Sequence, residues 1–388
     1  MDEKSQKLIG FIKALYPGRN PVPLHAPVFL GNEKQYLLDC IDSTFVSYVG
    51  AYVTRFEEMT AQFTGAGFAI AVVNGTAALQ VALEIAGVRP CDEVITQALT
   101  FAATAAAIVH ARAEPVFVDV DRDTMGMSPE KLESWLKQNI HSDASGACPI
   151  NRTTGRRIAA VVPMHTFGHP CRIDEIKAVA EKYHLVLIED SAESLGSFYK
   201  GKHTGTFGLA GILSYNANKT ITTGGGGMIL TDDEVFARRA RHITTTAKLP
   251  HRWEYAHDAA GYNDRLPNVN AAIGVAQMEK LPEYLKNKRE TAEKYRRFCL
   301  EHGLSFVHEP KGAVSNYWLN AMILANRKER DAFLEFTNDN GVVTRPIWRL
   351  MNKLDVYSHC RRDDLTNSQW LEDHVVNLPI AKQIGGLS

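Results

Sequence analysis

Among its 388 residues the chain has no apolar run approaching the length of a membrane span, and Met1-Asp2-Glu3-Lys4-Ser5-Gln6-Lys7 leads into no long apolar stretch. Neither a membrane protein nor a secretory leader is expected. Charge of one sign is not in excess either: 43 basic residues face 44 acidic ones. Without a basic surplus or stripe, a nucleic-acid partner is not expected. Arg238-Arg239-Ala240-Arg241 fits a solvated helix face. The six cysteines, Cys40, Cys91, Cys148, Cys171, Cys299 and Cys360, form no C-x-x-C pair and lie near no histidine at zinc-finger spacing. No metal site is expected, and free thiols in a reducing cytoplasm are. Two nucleotide signatures are also missing. Gly201-Lys202-His203-Thr204-Gly205 has the wrong spacing for a P-loop, and Gly65-Ala66-Gly67 is no dinucleotide fingerprint.

What is present is ordinary globular composition, 45% apolar and 22% charged, in a chain too long for one core. Residues 1–16 read as an amphipathic helix, with Leu8, Ile9, Phe11, Ile12 and Leu15 on one face. A proline-rich strap follows, then helices over 32–43 and 52–63. Strand-like runs lie at 68–73, 93–97, 114–120, 158–164, 185–190, 209–214 and 227–231. Helical patterns at 76–87, 101–112, 128–138 and 173–183 fall between them, which predicts a mostly parallel sheet with helices on both faces. The polar stretch 141–157 reads as a surface loop. A long helix starts near Asn268 and is expected to break at Pro282. Strands over 304–308, 317–324 and 341–346, helix 327–339 and a last helix complete a smaller α+β domain. The expected division is 1–267 and 268–388.

The chemistry concentrates around Lys219, which stands between Ser214-Tyr215-Asn216-Ala217-Asn218 and a run of four glycines, Gly224 to Gly227. A lysine amine can form a Schiff base with an aldehyde cofactor. Upstream, Leu185-Val186-Leu187-Ile188-Glu189-Asp190 is an apolar run ending in acids, and a carboxylate at a strand end can pair with a protonated pyridine nitrogen. Pyridoxal phosphate needs both partners. Gly75, Thr76 and Ala77 cross from strand to helix, where backbone amides and a hydroxyl can hold a phosphate. Ser214 is a second hydroxyl for the same phosphate. Phe101 follows the next strand and can stack on a planar ring. Glu193 fits a contact to the ring hydroxyl and equally a capping box begun by Asp190. His165 and His169 lie on a loop beside a cleft. Small residues Ala271, Ala272 and Gly274 suit a subunit interface or intrachain packing.

These motifs resemble the sugar aminotransferases of the DegT/DnrJ/StrS family over about Pro27 to Trp348. The resemblance rests on Asn74-Gly75-Thr76-Ala77-Ala78-Leu79, Thr100-Phe101 with Ala103-Thr104, Phe167-Gly168-His169-Pro170, Glu189-Asp190 with Ala192, Ser214 to Lys219, Thr222 to Met228, and Gly261-Tyr262-Asn263 with Arg265. It implies a fold-type I aminotransferase that uses pyridoxal phosphate and cycles through pyridoxamine phosphate. Lys219 would carry the cofactor and move protons. Asp190 would hold the pyridine nitrogen, Thr76, Ala77 and Ser214 the phosphate, and Phe101 the ring face. Asn263 would reach the phosphate in the other subunit of a homodimer with composite sites. Glu193 stands where many members have Gln or His. The implied substrates are L-glutamate and a UDP-linked 4-keto-6-deoxy-N-acetyl sugar aminated at C4, as in bacillosamine or legionaminic acid synthesis for bacterial surface sugars. Alternatives are a C3, GDP- or dTDP-linked keto-sugar, or a dehydratase on the same scaffold, which Lys219 disfavours. Ser47, Tyr48, His165, Asn316, Arg345, Trp348 and Arg349 are the expected substrate contacts.

Overall fold

A computed structural model describes residues 3–142 and 149–380. Seven strands form the main sheet: β1 (Phe68–Val72), β2 (Glu93–Gln97), β3 (Glu114–Val118), β4 (Ile158–Val162), β5 (Val186–Asp190), β6 (Ala210–Ser214) and β7 (Gly227–Thr231). They lie in the order β1-β7-β6-β5-β4-β2-β3. Pairings from β3 across to β6 are parallel, and β7 is antiparallel to both β6 and β1. All seven fall where the apolar runs predict them.

The helices are α1 (Glu3–Leu15), α2 (Glu33–Asp42), α3 (Ala51–Thr64), α4 (Gly75–Ile85), α5 (Ala102–His110), α6 (Pro129–Asn139), α7 (Ile173–Lys182), α8 (Glu234–Thr244), α9 (Asn268–Glu301), α10 (Arg327–Asp339) and α11 (Thr366–His374). Ser128, Asp233 and Asn326 cap α6, α8 and α10 by accepting a backbone N–H near each helix start, which satisfies a donor the helix cannot. One face of the sheet packs Ile70, Val72 and Ile229 against α4, α5 and α8. The other packs Ala71, Leu213 and Met228 against α3 and α9, and Ile95 and Val161 against α6 and α7. Both faces are covered, as parallel strands require.

A second sheet holds β8 (Ser305–Phe306), β9 (Asn320–Ile323), β10 (Arg345–Pro346) and β11 (Val375–Leu378), ordered β8-β9-β11-β10. β11 is absent from the predicted elements, because four residues after a helix give too short a pattern. Two further expectations fail. Helix α9 does not break at Pro282 but runs for 34 residues. Pro282 is exposed while Leu281 and Tyr284 on either side are buried, so packing on the inner face outweighs the lost backbone hydrogen bond. The N-terminal segment also does not belong to the large domain. Leu8, Ile9 and Ile12 of α1 share a core with Tyr295, Met322 and Val376 of the small one. Nor are Ala271, Ala272 and Gly274 free for a partner: the first two are buried, and a Cβ on Gly274 would meet the Phe56 ring at 2.8 Å.

Of the stretch 141–157, residues 149–151 pair with 140–142 as a short hairpin, and the rest of the turn lies outside the described residues, as does Cys148. The other five cysteines are unbridged. No helix among the described residues is long and apolar enough to cross a membrane.

Candidate active site

Four strands of the sheet end at one hollow, the usual place for a ligand in such folds. The hollow measures about 470 Å3 and is lined by Gly75, Thr76, Phe101, Asp190, Glu193, Ser214, Lys219, Trp318, Arg345, Trp348 and Arg349, among others. A larger hollow, about 720 Å3, opens beside α1 and carries none of the predicted site residues.

Asp190 is the last residue of β5. Its carboxylate accepts from the Thr104 hydroxyl at 2.6 Å and from the Ala192 N–H at 3.1 Å. Those bonds fix its orientation. Thr104 escapes the sequence reading as a site residue, although it stands one turn past Phe101 on α5 and so faces the same way. Phe101 itself is 51% exposed and meets the Trp348 ring edge-on at 6.3 Å.

The phosphate-sized end of the hollow depends on glycine. Gly227 pairs with Ser214 of β6 on one side and Val72 of β1 on the other. A Cβ at Gly227 would lie 2.4 Å from the Asn74 carbonyl carbon and oxygen. Only hydrogen there lets the turn into α4 sit beside Ser214. Gly227→Ala is expected to cost about 1–3 kcal/mol, read as a lowered midpoint in thermal denaturation, and to weaken retention of a phosphorylated ligand on gel filtration. Ala77 does not stand ready for phosphate as expected: its N–H donates to the Asn74 side chain at 2.8 Å, capping α4. Thr76 and Ser214 remain on the wall.

Lys219 has 11% of its side chain exposed and its Nζ stands 3.5 Å from Glu193 Oε1. The Trp318 ring lies under the same ammonium at 4.2 Å, and the indole N–H donates to the Asn218 carbonyl at 2.7 Å. Trp318 thus places Lys219 twice, through the ring and through the loop that carries it. Sequence reasoning misses this, since a tryptophan in a strand-like run reads as core.

Glu193 is buried, and its Oε2 accepts from the Phe167 N–H at 2.9 Å. Phe167 has φ 57°, a left-handed conformation that costs a bulky residue about 1–3 kcal/mol and is tolerated where the surroundings impose it. Burial pushes the Glu193 carboxyl up to about 7, against the opposing pull of Lys219. The folded value exceeds the ordinary 4.5, so ionising Glu193 removes stability as pH rises from there towards 7, and the loss is complete above it. Glu193→Gln is therefore expected to raise the melting temperature relative to wild type at pH 8 and not at pH 4, measured on the ligand-free protein.

Two expected substrate residues are behind the wall rather than on it. His165 Nε2 donates to Glu189 at 3.1 Å, and its Nδ1 accepts from the Cys171 N–H at 3.2 Å, so both ring nitrogens are used. Glu189 in turn gathers the N–H groups of Gly205, Phe207 and Gly208. Asn316 is buried, donates to the carbonyls of Glu193 and Leu195, and accepts from Trp318 N–H. It is a buttress. Ser47, Tyr48 and Asn263 lie outside this hollow; Ser47 and Asn263 are exposed and Tyr48 is half-buried. Arg345 donates to Asn338 and to the Thr344 carbonyl, while Arg349 is exposed with no polar partner among the described residues.

The donor set fits pyridoxal phosphate. Lys219 is the only lysine among the described lining residues, an oriented carboxylate ends a strand at Asp190, and hydroxyls meet a helix start at Ser214 and Thr76. Known proteins agree. The sequence profile of the DegT/DnrJ/EryC1/StrS aminotransferase family matches residues 30–386. The chain is 36% identical over 338 residues, 87% of each chain, to a GDP-perosamine synthase of Escherichia coli O157:H7. It is 37% identical over 328 residues, 84% of this chain and 81% of the other, to the putative pyridoxal phosphate-dependent aminotransferase EpsN of Bacillus subtilis. Its fold superposes on the aminotransferase TlmJ of Streptoalloteichus hindustanus with a TM-score of 0.83 at 27% identity, covering 94% and 95% of the two chains.

Proposed function

The chain belongs to the DegT/DnrJ/EryC1/StrS aminotransferase family, and from that premise we propose that it moves an amino group from L-glutamate to the C4 keto group of a nucleotide-linked 4-keto-6-deoxy sugar. The observation that carries this reading is the shared wall of Lys219, Asp190 and the two guanidinium groups of Arg345 and Arg349.

Pyridoxal phosphate, when bound, supplies an aldehyde for covalent attachment and an electron-withdrawing ring. Lys219 would hold the aldehyde, and its Nζ would take and return the substrate proton. Asp190, oriented by Thr104, would keep a proton on the pyridine nitrogen. Glu193 steadies the Lys219 amine. Ser214 and Thr76 would bind the phosphate, and Phe101 would cover one ring face. Arg345 and Arg349 suit the two phosphates of a sugar nucleotide, because guanidinium forks match phosphate oxygens. Trp348 lines the same wall and meets the Phe101 ring.

Two composite sites in a homodimer belong to the same reading. Ser47 and Asn263 are exposed, and so are the apolar side chains of Phe45, Val46, Val49, Trp253 and Tyr255 near them in sequence, surface that a second copy would cover.

The sequence favours a UDP-linked N-acetyl sugar, while the relatives named GDP-perosamine synthase support a GDP-linked one. One experiment separates them. The protein is loaded with pyridoxamine phosphate and offered UDP-, GDP- and dTDP-linked 4-keto-6-deoxy sugars. Return of the visible band with one nucleotide series is the expected result. Return with simple 2-oxo acids and with no sugar nucleotide would leave an aminotransferase but remove the sugar from the proposal.

A further inference from the structure

Behind Lys219, away from the large hollow, lies a second cavity of about 30 Å3, lined by His25, Lys219, Thr220, Gln277, Tyr284 and Lys288, among others. That is room for one water. Lys288, on α9, is 6% exposed. Its Nζ donates to the Trp318 carbonyl at 3.3 Å and faces His25 Nε2 at 3.3 Å. With Lys288 as the donor, His25 accepts at Nε2 and carries its proton on Nδ1, which is buried without a partner among the described residues. Trp318 thus has Lys288 at its backbone and Lys219 at its ring.

Among the described residues Lys288 forms no ion pair. The groups facing it are His25 from the N-terminal strap, Lys219 from the β6–β7 loop and Tyr284 from α9 itself. Burial, then Glu33, pushes the Tyr284 phenol up to about 12, so it stays neutral. Glu33 stands one step away and is engaged by Gln277 at 2.6 Å. Trp318 and Ile380 bring no charge. Burial draws the Lys288 ammonium down to about 7. Burial, with the charges of Lys288 and Lys219, holds His25 well below its ordinary range. An amine so placed costs stability, and methionine would fill the site at less cost. Groups retained at that cost beside a reactive residue are candidates for tuning it.

We propose that Lys288 and His25, with one water in the small cavity, form a positioning pair that sets the charge of Lys219 from behind while holding Trp318 against it. A positive charge on Lys288 disfavours a second one on Lys219, and the neutral His25 accepts from Lys288 and holds the water. The inference rests on the reading of Lys219 as the residue that binds pyridoxal phosphate.

The test is a pH titration of the visible band of the cofactor-loaded full chain, in wild type, Lys288→Met and Lys288→Arg. Lys288→Met removes the charge and should raise the midpoint by about one pH unit. Lys288→Arg, charged throughout, should hold it at or below the wild-type value. Should Lys288→Met fail to fold, His25→Leu replaces it and should move the midpoint upward too, because Lys288 loses its acceptor. Identical midpoints in all variants would overturn the proposal even if melting temperatures change. A wild-type protein with no visible band at all would instead overturn the cofactor assignment of Lys219.

Discussion

Lys219→Ala is expected to take up no pyridoxal phosphate covalently, to show no visible band and to lose at least about 10^3-fold in turnover. The expectation follows from the wall itself: no other described lysine lines the hollow, so nothing can stand in. The fold should survive, because the side chain contributes one contact with the buried Trp318 ring and a 3.5 Å approach to Glu193. Below about pH 7, where the Glu193 carboxyl is protonated, those contacts are worth about 1–2 kcal/mol. Circular dichroism and the melting temperature should therefore stay near wild type while absorbance and activity vanish. Wild-type turnover by the alanine variant would remove Lys219 from the chemistry altogether.

Asp190→Asn is expected to separate binding from rate. Asparagine has the same shape and can still accept from Thr104 at the position now 2.6 Å away, so the protein should fold and keep its cofactor. What it loses is the negative charge that would keep a proton on the pyridine nitrogen. A fixed charge aimed at a site where charge develops is worth about 10^2–10^3 in kcat, and a fall of that size with the visible band retained is the expected result. An unchanged kcat would mean that Asp190 only supports the strand end.

Much of this arrangement is legible in the chain. The seven sheet strands are, because each is a short β-branched run bounded by turn residues. Lys219, Asp190, Ser214 and Phe101 are legible too, since each follows or ends such a strand and so must arrive at the same edge. The misses share a cause. Thr104, Trp318 and Lys288 act through contacts made 86, 99 and 30 residues away in sequence, with Asp190, Lys219 and Trp318 respectively, and no local pattern records those distances. His165 and Asn316 carry the opposite lesson: polar residues near a cleft in sequence turned inward to satisfy buried backbone and carboxylate groups. Pro282 shows local propensity overridden by the packing of its neighbours.

Helix α9 has a consequence for how the enzyme admits its substrates. At 34 residues it is about 51 Å long at 1.5 Å per residue. Its first half is built into the core of the large sheet, and its second half, with α1, into the core of the small one. A continuous rod embedded in both bodies suppresses a jaw-like opening between them. With the two bodies pinned in this way, the way into the hollow is its rim, where Arg345, Arg349 and Phe101 stand exposed, rather than a gap opened by swinging one body from the other.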